Sequence, residues 1–120
     1  MNILTKHISR FLFAIPMLLF GVFHFMNASD MAGIIPQWLP FPIFWVILTG
    51  IALVGAAISI IIQVWDYWAS FLLGLMLLVF VLTIHLPAAL DGAEPTSLLK
   101  DLALVGGAWF YTGYIAKKAE

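Results

Sequence analysis

The chain has 120 residues, of which 64% are hydrophobic and 9% are charged, and its formal net charge at pH 7 is -1. Soluble domains typically carry about 25% charged residues, and small domains have the most surface to cover, so the composition excludes an ordinary soluble domain. The absence of a basic cluster argues against nucleic-acid binding, and the absence of cysteine excludes disulfides and thiol chemistry by this chain.

Four apolar segments follow one another along the chain. A helix needs about 20 mostly apolar residues to span a membrane, and the segments that meet this length are 8–26, 43–64, 68–86 and 98–116. The sequence therefore predicts an all-α protein, an integral membrane four-helix antiparallel bundle that forms one transmembrane domain over residues 1–120 in the lipid bilayer. A cleaved signal peptide is an alternative for the first segment, but its apolar run is long and no A-x-A cleavage pattern follows.

The positions of lysine and arginine predict the orientation. Lys6 and Arg10 precede or open the first segment, Lys117 and Lys118 follow the fourth, and the first and third connectors contain neither residue type. The positive-inside rule then places both termini in the cytoplasm, in agreement with an even number of spans. We expect a multi-pass protein of the cell inner (plasma) membrane.

Small residues predict where these helices pack, because membrane helices approach one another through them. In the first segment Ala14, Met17 and Gly21 share a helix face with His24. Further small residues in the later segments are Ala52, Gly55, Ala56, Ser59, Gly74, Ala103, Gly106 and Gly107. These faces serve either packing within the chain or a homo-oligomer, and both interpretations stay open.

Two histidines lie near the ends of spans. His24 is near the end of the first segment and His85 near the end of the third, so the antiparallel topology predicts one outer membrane level for both. Both follow small residues on their helices, which indicates that they face the bundle interior. The pair is our candidate ligand-binding or interhelical polar site, with Asp30, Asp91 and Asp101 as accessory polar residues at the same end. Pro87, two residues after His85, predicts the end of the third helix.

The histidine pair has a functional and a structural interpretation. A quinone-like ligand needs an apolar cleft with one or two hydrogen-bond donors, and histidine can also transfer protons near neutral pH. A metal site needs three or four ligands, and no ligand-spacing motif occurs, so we assign no metal site and no catalytic residue. The structural interpretation is an interhelical hydrogen-bonded clasp.

The first connector is rich in proline and apolar residues. Pro36, Trp38 and Pro40 are the candidate lid residues, because a proline-rich apolar loop at the outer interface can cover the mouth of a bundle. The simpler interpretation is a loop that anchors the protein at the membrane surface.

Several segments together resemble the DoxX-like family of small bacterial membrane proteins. The similar stretches are "GVFHFMNASDMAGIIPQWLP" at residues 21–40, then "VILTGIALVGAAISI", "IHLP" and "SLLKDLALVGGAWF". The resemblance implies a bacterial four-helix membrane protein, and some DoxX-like proteins are membrane parts of redox systems, including a subunit of thiosulfate:quinone oxidoreductase. Many members carry a glutamate shortly after the glycine of the second span, whereas no acid follows Gly50 here, so no catalytic residue is carried over.

The expected function follows from this resemblance and from the histidines. It is a membrane subunit of a redox or quinone-linked complex, which would work with a redox partner protein and would not be an enzyme on its own. The cofactor stays open: a quinone is one candidate, and no residue requires it. The alternative is a non-catalytic membrane scaffold or anchor for a partner enzyme.

Overall fold

A computed structural model describes residues 3–119, apart from the side chains of Lys6 and of residues 117–119. In that part of the chain every regular element is a helix, which confirms the all-α prediction. The elements are a π-helix Ile3–Ile8, α1 (Ser9–Met26), α2 (Ala28–Met31), a 3₁₀ helix Ala32–Ile34, α3 (Pro42–Ile62), α4 (Asp66–Phe80), a π-helix Val81–His85, α5 (Leu86–Leu90) and α6 (Thr96–Ala119). They form two compact units, Met1–Ala69 and Ser70–Glu120.

Three helical stretches are long and apolar enough to cross a membrane among the described residues. They are Ile3–Met26, Pro42–Ile62 and Asp66–Leu90. The α6 helix has 24 residues, which is sufficient length, but it is not among the three by composition. The membrane helices of the prediction are therefore found for three segments, and the fourth span and the orientation of the termini stay predictions.

In the first unit α1 packs directly on α3 where two glycines meet. A Cβ atom built on Gly21 would lie 2.6 Å from Cγ2 of Val54 and 2.9 Å from the carbonyl oxygen of Gly50. A Cβ atom on Gly50 would lie 3.0 Å from the carbonyl oxygen of Gly21. Neither glycine position has room for a side chain, because the two backbones approach closely at this crossing. Ala14, Met17 and Gly21 are all buried, so the packing face predicted for the first segment is confirmed.

The proline-rich connector between α1 and α3 is irregular only in its second half. Helical turns continue to Ile34, and α3 then begins at Pro42, whose fixed φ suits the first turn of a helix. Phe41 precedes it with φ +56°, a left-handed conformation that is unusual for a bulky residue. The indole Nε1–H of Trp45 donates to the carbonyl of Pro40 at 2.8 Å, which ties the end of the connector to the first turn of α3.

In the second unit the helix does not stop at Pro87, so that prediction is wrong. The chain passes through a π-helix, in which the N–H of Leu86 donates to the carbonyl of Val81, and continues in α5 to Leu90. A π-turn is wider than an α-turn, and this accommodates a proline that clashes with the preceding turn and lacks a donor. The helix ends instead at Leu90. It is followed by a turn in which Gly92 has φ +99° and the N–H of Ala93 donates to the carbonyl of Ala88 at 2.9 Å.

A buried pair of hydroxyl groups joins α4 to α6. The Oγ of Ser70 lies 2.7 Å from Oγ1 of Thr112, and either hydroxyl can be the donor between the helices. Thr112 also donates to the carbonyl of Ala108 at 3.0 Å. Interhelical hydrogen bonds of this kind contribute about 0.6 kcal/mol on average within membranes. The pair thus fixes the register of α4 against α6 more than it adds stability.

Gly74 provides the space that Trp109 occupies, which leads to a testable prediction. A Cβ atom on Gly74 would lie 2.6 Å from Cδ1 and 3.0 Å from Cε2 of this indole, whose Nε1–H donates to the carbonyl of Phe71 at 3.1 Å. The Gly74→Ala variant should lower the free energy of unfolding by about 1–3 kcal/mol, because the rigid indole must move and its hydrogen bond lengthens. Unfolding in SDS, followed by tryptophan fluorescence, measures this loss.

The matched control is Gly106→Ala on α6. A Cβ atom there meets open space, and alanine favours a helix over glycine by about 1 kcal/mol. This variant should be as stable as the wild type or more stable. An equal loss of stability in both variants would contradict a steric role for Gly74.

Candidate functional site

The most polar contact of the second unit joins His85 to Asp101. His85 is the last residue of the π-helix, and Asp101 lies in the second turn of α6. The Nε2 atom of His85 lies 2.9 Å from Oδ2 of Asp101. The side chain of Asp101 is only 7% exposed, whereas that of His85 is 20% exposed. The buried carboxylate of Asp101 therefore contacts an imidazole that is partly exposed.

A lysine approaches the second oxygen of the same carboxylate. The Nζ atom of Lys100 lies 3.6 Å from Oδ1 of Asp101, and its side chain is 48% exposed. Each carboxylate oxygen thus faces a different partner, the imidazole through a short hydrogen bond and the ammonium through a longer ionic contact. Buried carboxylates are expensive without such partners, so both contacts help to retain Asp101 in an apolar helix.

The protonation of His85 follows from this geometry. The carboxylate accepts a hydrogen bond, so Nε2 of His85 carries a proton in both its neutral and its charged form. In the neutral form Nδ1 is an acceptor, and in the charged form it is a donor. Within the part of the chain that the structure describes, no hydrogen bond to Nδ1 is found. The pair can therefore hold a second hydrogen-bonding group and exchange a proton with it.

His24 has a different environment in the first unit. Its Nδ1 lies 2.6 Å from the carbonyl oxygen of Phe20, one turn earlier in α1, so Nδ1–H donates to the backbone and Nε2 is an acceptor. A Cβ atom on Gly50 would lie 3.1 Å from Cβ of His24, which places this histidine beside the glycine crossing of α1 and α3. His24 and His85 belong to different units, and a shared site stays a prediction.

The accessory acids and the candidate lid have separate surroundings. Asp30 is exposed in α2, and Asp91 is exposed just after α5. In the connector, Pro36 is half-buried and Pro40 is exposed, while the indole of Trp38 is 73% exposed. Among the predicted acids, Asp101 is the one found beside a predicted histidine, and the lid function of the connector stays a prediction. No group of three or more metal-ligating side chains occurs among the described residues.

Sequence reasoning missed the His85–Asp101 contact, although both residues were candidates. In the predicted fourth span, 98–116, Asp101 lies in the first turn, where the helix dipole favours a carboxylate, so its sequence position did not indicate an imidazole partner. The two residues are 16 positions apart across a turn. An antiparallel α4–α6 hairpin with its turn at Gly92 would bring them to one level, and the turn position is the signal that was overlooked.

Comparison with known families corrects the resemblance stated above. A family model described as "Domain of unknown function (DUF8561)" matches residues 13–105, and the chain belongs to that family. No DoxX family model matches, so the DoxX-like prediction is wrong, and the bacterial origin inferred from it is withdrawn. The motifs that carried it are short apolar stretches with glycine and proline, which unrelated membrane helices also contain. No curated protein and no solved structure matches the chain.

Proposed function

We propose that the protein spans the plasma membrane four times, with both termini in the cytoplasm. In a bacterial cell this would be the inner membrane. The three apolar helical stretches support membrane insertion, and the basic residues near both chain ends support the orientation. The side chains of Lys6, Lys117 and Lys118 lie outside the described residues.

The polar residues of α6 are compatible with a fourth span because protein groups satisfy them. Asp101 is paired with His85, and Thr112 is buried with Ser70. The indole N–H of Trp109 bonds to a backbone carbonyl. The mean hydropathy of a helix treats each polar group as if lipid surrounded it. Polar groups inside membrane bundles are tolerated, however, when they face other helices.

Within this architecture we propose that His85 and Asp101 bind the polar oxygen of a quinone-like ligand. The observation that supports this is an imidazole with Nε2 held by a buried carboxylate, while Nδ1 has no described partner and the side chain is 20% exposed. A quinone takes up two electrons and two protons on reduction to the quinol. The His–Asp pair can transfer one of these protons, and the other would come from water at the membrane surface. The electrons would come from a redox partner protein, so the chain would act as a membrane subunit and not as an enzyme on its own.

A non-catalytic scaffold for a partner enzyme is the second candidate function. It is favoured by the way in which both oxygens of Asp101 are engaged within the chain, since an interhelical clasp needs no ligand. In this case the outer faces of the helices would bind the partner or a second copy. Gly55 and Ala52 are exposed on α3 and would permit a close approach of another helix.

Binding of a short-chain quinone distinguishes the two candidates. The full chain in lipid nanodiscs should bind decylubiquinone, measured by quenching of tryptophan fluorescence and by extraction of endogenous quinone from the purified protein. The His85→Gln variant should bind at least tenfold more weakly, because the glutamine amide N–H can still donate to Asp101 but no second ring nitrogen remains for the ligand. The Asp91→Asn variant, which changes an exposed acid at the same end, is the control.

The scaffold would give a different pattern. No quinone would be extracted, decylubiquinone would quench the wild type and His85→Gln equally, and the variant would differ only in heat stability. A His24→Ala variant added to the series tests the predicted shared site, which requires that it too weakens binding.

A further inference from the structure

Arg10 has donors that nothing in the described chain satisfies. Its Nε and Nη1 atoms are buried, and neither has a hydrogen-bond partner. The guanidinium carbon lies 4.9 Å from the centroid of the Phe11 ring, a contact that favours the charge but accepts no hydrogen bond. No ion pair joins Arg10 to a carboxylate among the described residues.

A guanidinium with buried and unpaired N–H donors is unusual in proteins. Arginine stays charged under all physiological conditions, so it cannot lower the energy of burial by losing its proton. Buried polar groups nearly always have partners, and a charged donor without one is less favourable still. These two nitrogens are closed to outside molecules in the observed rotamer, but Arg10 as a whole is only half-buried. A change of rotamer would bring the unpaired donors to a negatively charged acceptor that is not part of the described chain.

The position of Arg10 in the helix indicates where this acceptor lies. The stretch from Arg10 to Met26 has 17 residues, or about 25 Å at 1.5 Å per residue, and the hydrocarbon core of a bilayer is about 30 Å thick. If Met26 is near one boundary of the core, Arg10 is near the other, at the level of the lipid phosphates. The preceding π-helix Ile3–Ile8 then extends into the head-group region.

We propose that Arg10 binds the phosphate of an anionic phospholipid in the leaflet around the N-terminal end of α1. A phosphate supplies several acceptor oxygens and a negative charge, and the planar guanidinium matches its geometry better than an ammonium does. An anionic lipid is favoured over a zwitterionic one because the latter carries its own cation beside the phosphate. The inference uses membrane insertion of α1 and is independent of the ligand proposed for His85.

Thermal unfolding of the full chain in a mild detergent tests this inference. Added phosphatidylglycerol should raise Tm by several degrees, and phosphatidylcholine at the same concentration should raise it less. The Arg10→Gln variant should lose the difference between the two lipids, and Arg10→Lys should keep a reduced difference, because it retains the charge without the planar donors. Lys118→Gln removes one positive charge near the other end of the chain and is expected to respond like the wild type.

The second readout is native mass spectrometry of the same samples, which counts phosphatidylglycerol molecules that stay bound. Loss of one bound lipid in Arg10→Gln, but not in Lys118→Gln, supports the site. An equal Tm response to the two lipids in the wild type, or an unchanged response in Arg10→Gln, overturns it. Inorganic phosphate that reproduces the full shift would also overturn it, because the ligand would then be a soluble anion. If Arg10→Gln does not fold, an Arg10→Lys response identical to that of the wild type still refutes the role of the guanidinium.

Discussion

Replacing His85 with alanine is expected to lower the free energy of unfolding by about 3 kcal/mol, because Asp101 then becomes a buried carboxylate without its closest partner. Breaking a buried ion pair from one side typically costs about 3–5 kcal/mol. The lower end of that range applies here, because Lys100 remains 3.6 Å from the same carboxylate and is itself half-exposed. The reverse variant, Asp101→Asn, leaves a neutral acceptor for the imidazole and should cost less.

A double-mutant cycle measures this coupling. The His85→Ala, Asp101→Ala and combined variants are unfolded in SDS and compared, and the combined variant should be more stable than the sum of the single losses indicates. Asp91→Ala is the control, since Asp91 is exposed and its loss should change stability by no more than about 0.5 kcal/mol. If the two single losses add within error, the contact between His85 and Asp101 does not contribute to folding.

The second large effect is expected at the crossing of α1 and α3. In Gly50→Ala the new Cβ atom would lie 2.7 Å from Cε1 of Phe25, 3.0 Å from the carbonyl oxygen of Gly21 and 3.1 Å from Cβ of His24. The phenyl ring can rotate away, but the carbonyl belongs to the backbone, so the two helices must separate. Overpacking of this kind costs about 1–3 kcal/mol, and we expect a loss of about 2 kcal/mol for Gly50→Ala.

Gly55→Ala on the same helix is the matched control. No heavy atom lies within 4 Å of a Cβ atom at Gly55, so the substitution adds helix propensity without a clash. Opposite changes in the SDS unfolding free energy are therefore expected from the same chemical change five residues apart. Destabilisation by both variants would mean that glycine is needed in α3 for a reason other than its contact with α1.

The sequence predicted the helical class and one packing face because composition and periodicity determine them locally. Three of the apolar segments are helices long and apolar enough to cross a membrane, and the stripe of Ala14, Met17 and Gly21 is buried as predicted. Gly55 and Gly106 have open space around their Cβ positions, so they make no close packing contact within the described chain, and a homo-oligomer face at these glycines stays a prediction. A small residue permits a close helix contact but does not require one, so only the partner helix decides which glycines are used.

The candidate site was less accessible from the sequence. His85 and Asp101 were each singled out, but their contact depends on a π-helix and on a turn that lies beyond Pro87. A proline is ordinarily a sign that a helix ends, whereas here a wider turn accommodates it. The unpaired nitrogens of Arg10 could not be predicted from the sequence either. A basic residue beside a predicted membrane span is already explained by the positive-inside rule, so nothing indicated a further partner.

The π-helix Val81–His85 has a consequence for how this family varies. A π-turn is usually an α-helix that has gained one residue, and the extra residue displaces everything that follows it around the helix axis. Deleting one residue between Phe80 and His85 would convert the π-turn into a regular α-turn. The imidazole of His85 would then rotate around the helix axis, away from Asp101. In an alignment of relatives, a one-residue gap in this segment would therefore change the polar contact more than most substitutions would. Chain length at that point, rather than residue type alone, determines which side chain meets the carboxylate.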